Sequence, residues 1–121
     1  MRATRQRKAR AADKAPARSG EVPPRAEYKV RAKVWLYPGA GGWHFASLNQ
    51  RQSHEIKVRF AENRRGWGAV PITVHIGNTA WRTSLFPEKK SGSYLFAIKA
   101  EVRRQEGIAA GDTIRAIVQI R

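Results

Sequence analysis

The sequence predicts a mainly β fold: a small six-stranded closed or nearly closed barrel with two short helices, preceded by a disordered N-terminal tail. Three observations predict it. From Tyr28 onward, apolar side chains recur at every second position in short runs, the period of a half-buried strand. Turns rich in Gly, Pro, Asn and Ser separate those runs, and only two stretches, "QRQSHEIKVRFA" and "KAEVRRQE", break the alternation. Closure into a barrel suits many short strands, because it removes the free edges that invite aggregation.

Residues 1–27 come first. They are rich in Ala, Arg and Pro, and Val22 is their only large aliphatic residue after Met1. Pro16, Pro23 and Pro24 interrupt any helix. With so little apolar surface to offset ordering entropy, the segment reads as a disordered basic tail. The domain boundary falls near Tyr28, and residues 28–121 form a single small β-barrel domain.

The first strand places Tyr28, Val30, Ala32, Val34 and Leu36 on the core face and Lys29, Arg31, Lys33 and Trp35 on the other. Pro38-Gly39-Ala40-Gly41-Gly42 ends it, and a second strand spans Trp43 to Leu48. Asn49 then caps a short helix over about residues 50–61, with Ser53, Ile56 and Phe60 as its inner stripe. Strand three covers Trp67 to Ile76 and strand four Thr79 to Phe86. The two residues between them, Gly77-Asn78, suit a type II′ hairpin, which fixes the register. Ile76 then faces Thr79, Val74 faces Trp81, Ile72 faces Thr83 and Val70 faces Leu85, which is the core side. The opposite side pairs His75 with Ala80, Thr73 with Arg82 and Pro71 with Ser84. Strand five, Tyr94 to Ile98, turns Tyr94, Phe96 and Ile98 to one side. A helix over 99–106 ends at Gly107, and strand six runs from Thr113 to Arg121 with Ile114, Ala116, Val118 and Ile120 inward.

The segments "KVWLYPGAGGWHFASL", "GWGAVPITVHIGNTAWRTSLFP", "SGSYLFAIKAEVRR" and "GIAAGDTI" resemble, in order and spacing, the bacterial domain-of-unknown-function family nineteen-oh-five. The resemblance covers about residues 28–121 and implies a six-stranded small barrel. Such a domain is sometimes found beside a bacteriocin-protection domain of the YdeI/OmpD-associated type, and no such second domain is expected among these 121 residues. Asn49 and the residues around Ile98 depart from the family's proline pattern. The resemblance implies no established activity and no catalytic residues.

Catalysis finds little support in the residues. His44, His54 and His75 have no ligand-like spacing and the chain has no Cys, so no metal or cofactor is expected. There is no Gly-x-Ser-x-Gly elbow. The "GAGG" at residues 39–42 lacks the Gly-Lys-Ser/Thr of a phosphate loop and opens no helix. Glu88, Glu101 and Glu106 sit among basic residues, and Asp112 belongs to a turn.

Charge is the distinctive signal. The net charge is +15, from 24 basic against 9 acidic residues. Residues 28–121 hold 16 of the basic and 6 of the acidic residues, so the domain alone carries +10. Such a balance favours a polyanionic partner, nucleic acid foremost. The expected binding residues are Lys29, Arg31, Lys33, Trp67, Thr73, His75, Arg82, Ser84, Lys99 and Arg103: cations for phosphates, aromatic faces for unpaired bases. Two rival readings are a small-molecule anion binder or minor enzyme at the barrel mouth, around Arg82, Thr83, Ser84, Lys99 and Arg103, and an accessory protein docking an acidic partner. No apolar run approaches the roughly 18 residues of a membrane span. The absence of Cys fits a reducing compartment, so a cytoplasmic location is expected.

Overall fold

A computed structural model describes residues 27–121. The predicted tail lies outside the described residues, except that Glu27 already belongs to the first strand. In chain order the elements are β1 (Glu27–Lys33), β2 (Trp35–Leu36), β3 (His44–Ser47), α1 (Gln50–Arg59), β4 (Val70–Ile76), β5 (Thr79–Pro87), β6 (Tyr94–Ala97), α2 (Ala100–Glu106) and β7 (Thr113–Ile120), with two single 3₁₀ turns between α1 and β4.

The sheet order is β1-β7-β4-β5-β6-β3-β2, every pair antiparallel. The two outer members of that series, β1 and β2, are consecutive in sequence, with only Val34 between them. The ladder therefore returns on itself along a single extended segment, which closes the barrel. Seven strands are counted where six were expected, because the predicted first strand changes partner at Val34: before it the chain pairs with β7, after it with β3. Val34 itself is tied to the turn before β7, its N–H donating to the Asp112 carbonyl at 2.8 Å and its carbonyl accepting from Gly111 N–H at 2.8 Å.

The Gly77-Asn78 hairpin has the register read from the sequence, from Ile76 opposite Thr79 to Val70 opposite Leu85. Gly77 has φ 58°, the left-handed first position that a type II′ turn reserves for glycine. Val70, Ile72, Val74, Trp81 and Leu85 are all buried. Trp81 meets Phe96 edge-on at 6.4 Å, so β5 and β6 contribute rings to one core that also takes in Tyr28, Val30, Val34, Leu48, Ile114 and Val118.

Each helix closes one end of the barrel. Asn49 caps α1 by accepting from Gln52 N–H at 2.7 Å, worth about 1 kcal/mol. From α1, Ile56 enters the core, Phe60 meets Tyr28 edge-on, and the buried Ser53 hydroxyl accepts from Tyr94 N–H at 2.9 Å. At the other end Val102 and Ile108 are buried, and Glu106 accepts from the Thr79 hydroxyl at 2.6 Å, which fastens α2 to the hairpin tip. Gly107, left-handed at φ 64°, ends α2 as expected.

Two expectations need correction. Leu36 does not face the core: it is 51% exposed, because the change of partner at Val34 carries it past the rim of the barrel. Trp67 does not begin strand three. Ladder pairing starts at Val70, and Trp67 sits in a 3₁₀ turn, Gly66–Gly68. Ile117, on the outer side of β7 between Arg115 and Gln119 and opposite Lys29 and His75, is also buried.

Ser53→Ala leaves the Tyr94 N–H buried without a partner and should cost about 1–3 kcal/mol in urea denaturation; a change below about 0.5 kcal/mol would show the contact to be dispensable. The Tyr28 phenol is held above its usual 10.0 by burial, with the Glu55 carboxylate pushing the same way. The unfolded phenol ionises first as pH rises, so this contribution is complete below pH 10 and is lost above it. Tyr28→Phe should flatten that part of the alkaline stability profile, and an unchanged slope would refute the assignment.

Candidate functional site

The outer surface of the barrel has two faces of opposite character. The first covers β1, β7, β4 and β5. Antiparallel register sets its side chains in rows: Glu27, Gln119, Thr73 and Arg82 in one, and Lys29, Ile117, His75 and Ala80 in the next. Arg31 stands opposite Arg115, and Lys33 opposite Thr113. Neighbouring strands lie about 4.8 Å apart, so the predicted residues of β1, β4 and β5 share one continuous face.

Lys29, Arg31, Lys33 and Arg82 are exposed, while Thr73, His75 and Ser84 are half-buried. On α1, Arg59 pairs with Glu55, whose carboxylate also accepts from the Tyr28 hydroxyl of β1. Gln119 organises the first row of the face. Its amide nitrogen donates to Glu27 Oε2 at 3.1 Å, so its amide oxygen accepts from His75 Nε2–H at 3.0 Å. His75 is thereby oriented by a side-chain amide and stands two residues from Thr73, the cross-strand partner of Arg82.

Lys99 and Arg103 lie elsewhere. Lys99 precedes the first residue of α2 and is exposed, and Arg103 turns back to donate from Nε to the Ile98 carbonyl at 3.0 Å. The β5–β6 register, with Phe86 opposite Leu95, would continue to Ser84 beside Ala97 and Arg82 beside Lys99, but the ladder stops at Phe86. The two strands part there, so the proposed barrel-mouth cluster is only loosely gathered. Among the described residues the buried side chains are apolar apart from Ser53 and Ser93, which leaves few polar groups inside the barrel to build such a site.

Trp67 is the most exposed large apolar residue among those described, at 92%, and follows Arg64 and Arg65 in sequence. It is also the one non-glycine residue with positive φ among those described, at φ 61° and ψ 22°. The turn is pinned by Arg65 N–H donating to Ala69 O at 2.7 Å. It packs on the end of β5, since a Cβ on Gly68 would come within 3.3 Å of Pro87 Cγ.

The second face is apolar and was not anticipated. On the outside of β2, β3 and β6, a shallow groove of about 330 Å³ is lined by Tyr37, Trp43, Phe45, Phe86, Leu95 and Ala97. Phe45 is its centre, 5.1 Å from the Trp35 ring and stacked with Trp43 at 6.2 Å and 7° between planes. Trp35 closes the flank, donating from Nε1 to the Ser47 hydroxyl at 3.1 Å. The signal was present in the alternation: Trp35, Tyr37, Trp43 and Phe45 all fall on the non-core phase of their strands. An aromatic residue at such a position reads by default as partly buried, and only the pairing of β2 with β3 brings these four together.

Among the described residues no group of three His, Asp or Glu side chains is placed to hold a metal, and no helix is long and apolar enough to cross a membrane. The family model described as Domain of unknown function (DUF1905) matches residues 31–118, from within β1 to within β7, and the chain belongs to that family. A search of curated proteins returns no match.

The strained turn yields a prediction. A left-handed backbone costs a side-chain-bearing residue about 1–2 kcal/mol, and so exposed a ring recovers little by burial. Trp67→Gly should therefore stabilise the fold by about 0.5–1 kcal/mol in denaturant titration. Destabilisation instead would mean that the indole holds the turn in place.

Proposed function

We propose that the protein is a small basic binding module that holds a polyanion, nucleic acid foremost, against the outer face of β1, β7, β4 and β5. The observation that carries this reading is the set of exposed cations on that face, Lys29, Arg31, Lys33 and Arg82, with no acidic partner among the described residues. A nucleic acid carries counterions condensed along its phosphates; cations left open to solvent can take their place, and release of those counterions drives binding. Thr73, Ser84 and His75 supply polar groups between the cations, suited to hydrogen bonds with phosphate oxygens. The rows carry no arrangement that reads base edges, so affinity should vary little with sequence. The Arg-rich segment before Glu27 adds charge to the same chain. A reducing compartment that holds nucleic acid, such as a bacterial cytosol, suits a chain of this charge without Cys.

The test is fluorescence anisotropy with labelled oligonucleotides at about 50 and 200 mM salt. Binding should weaken steeply with salt. Exchange of Lys29, Arg31 and Lys33 together for Ala should lower both the affinity and the slope of log K against log salt, by about 2 for a single strand. Arg82→Ala should weaken all sequences alike. Absence of binding at the lower salt, or binding indifferent to salt, would overturn the reading.

A further inference from the structure

We propose that the aromatic groove outside β2, β3 and β6 seats unpaired nucleobases, so that the polyanion held by this protein is a single-stranded nucleic acid. This inference rests on the polyanion reading above and gives it a substrate class.

The groove's composition supports bases over a protein partner. Four of its six lining residues, Tyr37, Trp43, Phe45 and Phe86, are aromatic, and the other two are Leu95 and Ala97. A ring presents a flat π face that any base can stack upon, and a lining whose surface is almost wholly apolar favours stacking over base-edge readout. Trp43 is 57% exposed and Phe86 41%, so a ligand can reach both rings.

Its position supports the same occupant, because cations stand on both sides. Arg82, Ser84 and Phe86 alternate along the outer side of β5, which makes the basic face and the groove continuous on one strand. Beyond Ala97 the chain reaches the exposed Lys99. On the opposite side Phe86 leads into Pro87, against which the Gly66–Gly68 turn packs; that turn carries Trp67 and follows the exposed Arg64 and Arg65. Lys89 and Lys90 follow in the turn between β5 and β6 and are exposed. A phosphate backbone can thus run from one cationic flank to the other with its bases turned into the groove between them. A duplex, with its bases stacked inside, can use only the flanks.

The experiment compares an oligothymidylate with an abasic oligomer of the same length and charge, and with a blunt duplex, on the full chain at low salt. The single strand should bind about tenfold or more tighter than the abasic oligomer. Trp43→Ala and Phe86→Ala should each reduce oligothymidylate affinity several-fold and leave the abasic oligomer unaffected, with circular dichroism melts confirming an intact fold. Equal binding of the base-bearing and abasic oligomers, with a clear salt slope, would overturn the groove assignment and leave the polyanion reading standing. A dimer in sedimentation that either groove variant dissociates would give the groove to a second copy of the chain and overturn it too. No binding of any of the three probes would remove both readings together.

Discussion

Everything in this molecule depends on one extended segment, residues 27–36, serving as both the first and the last strand of the ring. A sheet of this width would otherwise expose two rows of unpaired backbone groups. Here the segment spends its first half on β7 and its second half on β3, and the exchange takes place at Val34. The side chain of Val34 is buried and both of its backbone groups are bonded to the turn at Gly111 and Asp112. That turn is itself fixed, since Asp112 accepts from Ala109 N–H through its carboxylate at 2.9 Å. One residue therefore joins the two half-sheets, and the loop that aims β7 is the loop that holds it.

The same closure creates the two outer faces. β5 is the second shared strand, pairing with β4 as far as Leu85 and with β6 from Phe86. Between the two shared strands the barrel divides into a half bearing β7 and β4 and a half bearing β6 and β3. Strand alternation sends one set of side chains into the common core and the other set outward. Because both halves fill a single core, their inner sets are alike in chemistry. Nothing in the packing requires their outer sets to match, and they differ: cations and polar groups on one, rings on the other.

The sequence was most legible where geometry is local. A two-residue loop with glycine first admits few strand registers, so the whole β4–β5 face, including the outward positions of Thr73, His75, Arg82 and Ser84, could be read from Gly77-Asn78. The caps at Asn49 and Gly107 were legible for the same reason. The errors arose where distant pairing decides. Alternation alone carries Leu36 inward, and only its position beyond the exchange at Val34 turns it out. Trp67 continues the apolar run of β4 in sequence, but glycines on both sides and a left-handed backbone place it in a turn. The groove is not legible in the sequence because its members come from four separate segments whose adjacency is set by the β2–β3, β3–β6 and β5–β6 ladders.

The apolar outer face is the harder of the two to explain by folding alone. A solvated strand face is normally polar, and contiguous exposed apolar surface is an aggregation hazard that soluble proteins keep small unless it is used. Ring–ring contacts among Trp35, Tyr37, Trp43 and Phe45 offset part of that cost, at about 0.5–1.5 kcal/mol for each well-placed pair. The core does not need them: it is already continuous through both halves and both helix caps without any of the four. Polar residues at Trp43 and Phe45 would leave that core untouched and make the surface more soluble. The rings are therefore better explained by what they can receive than by what they hold together, and the cations on either side of them set the charge of the molecule to be received.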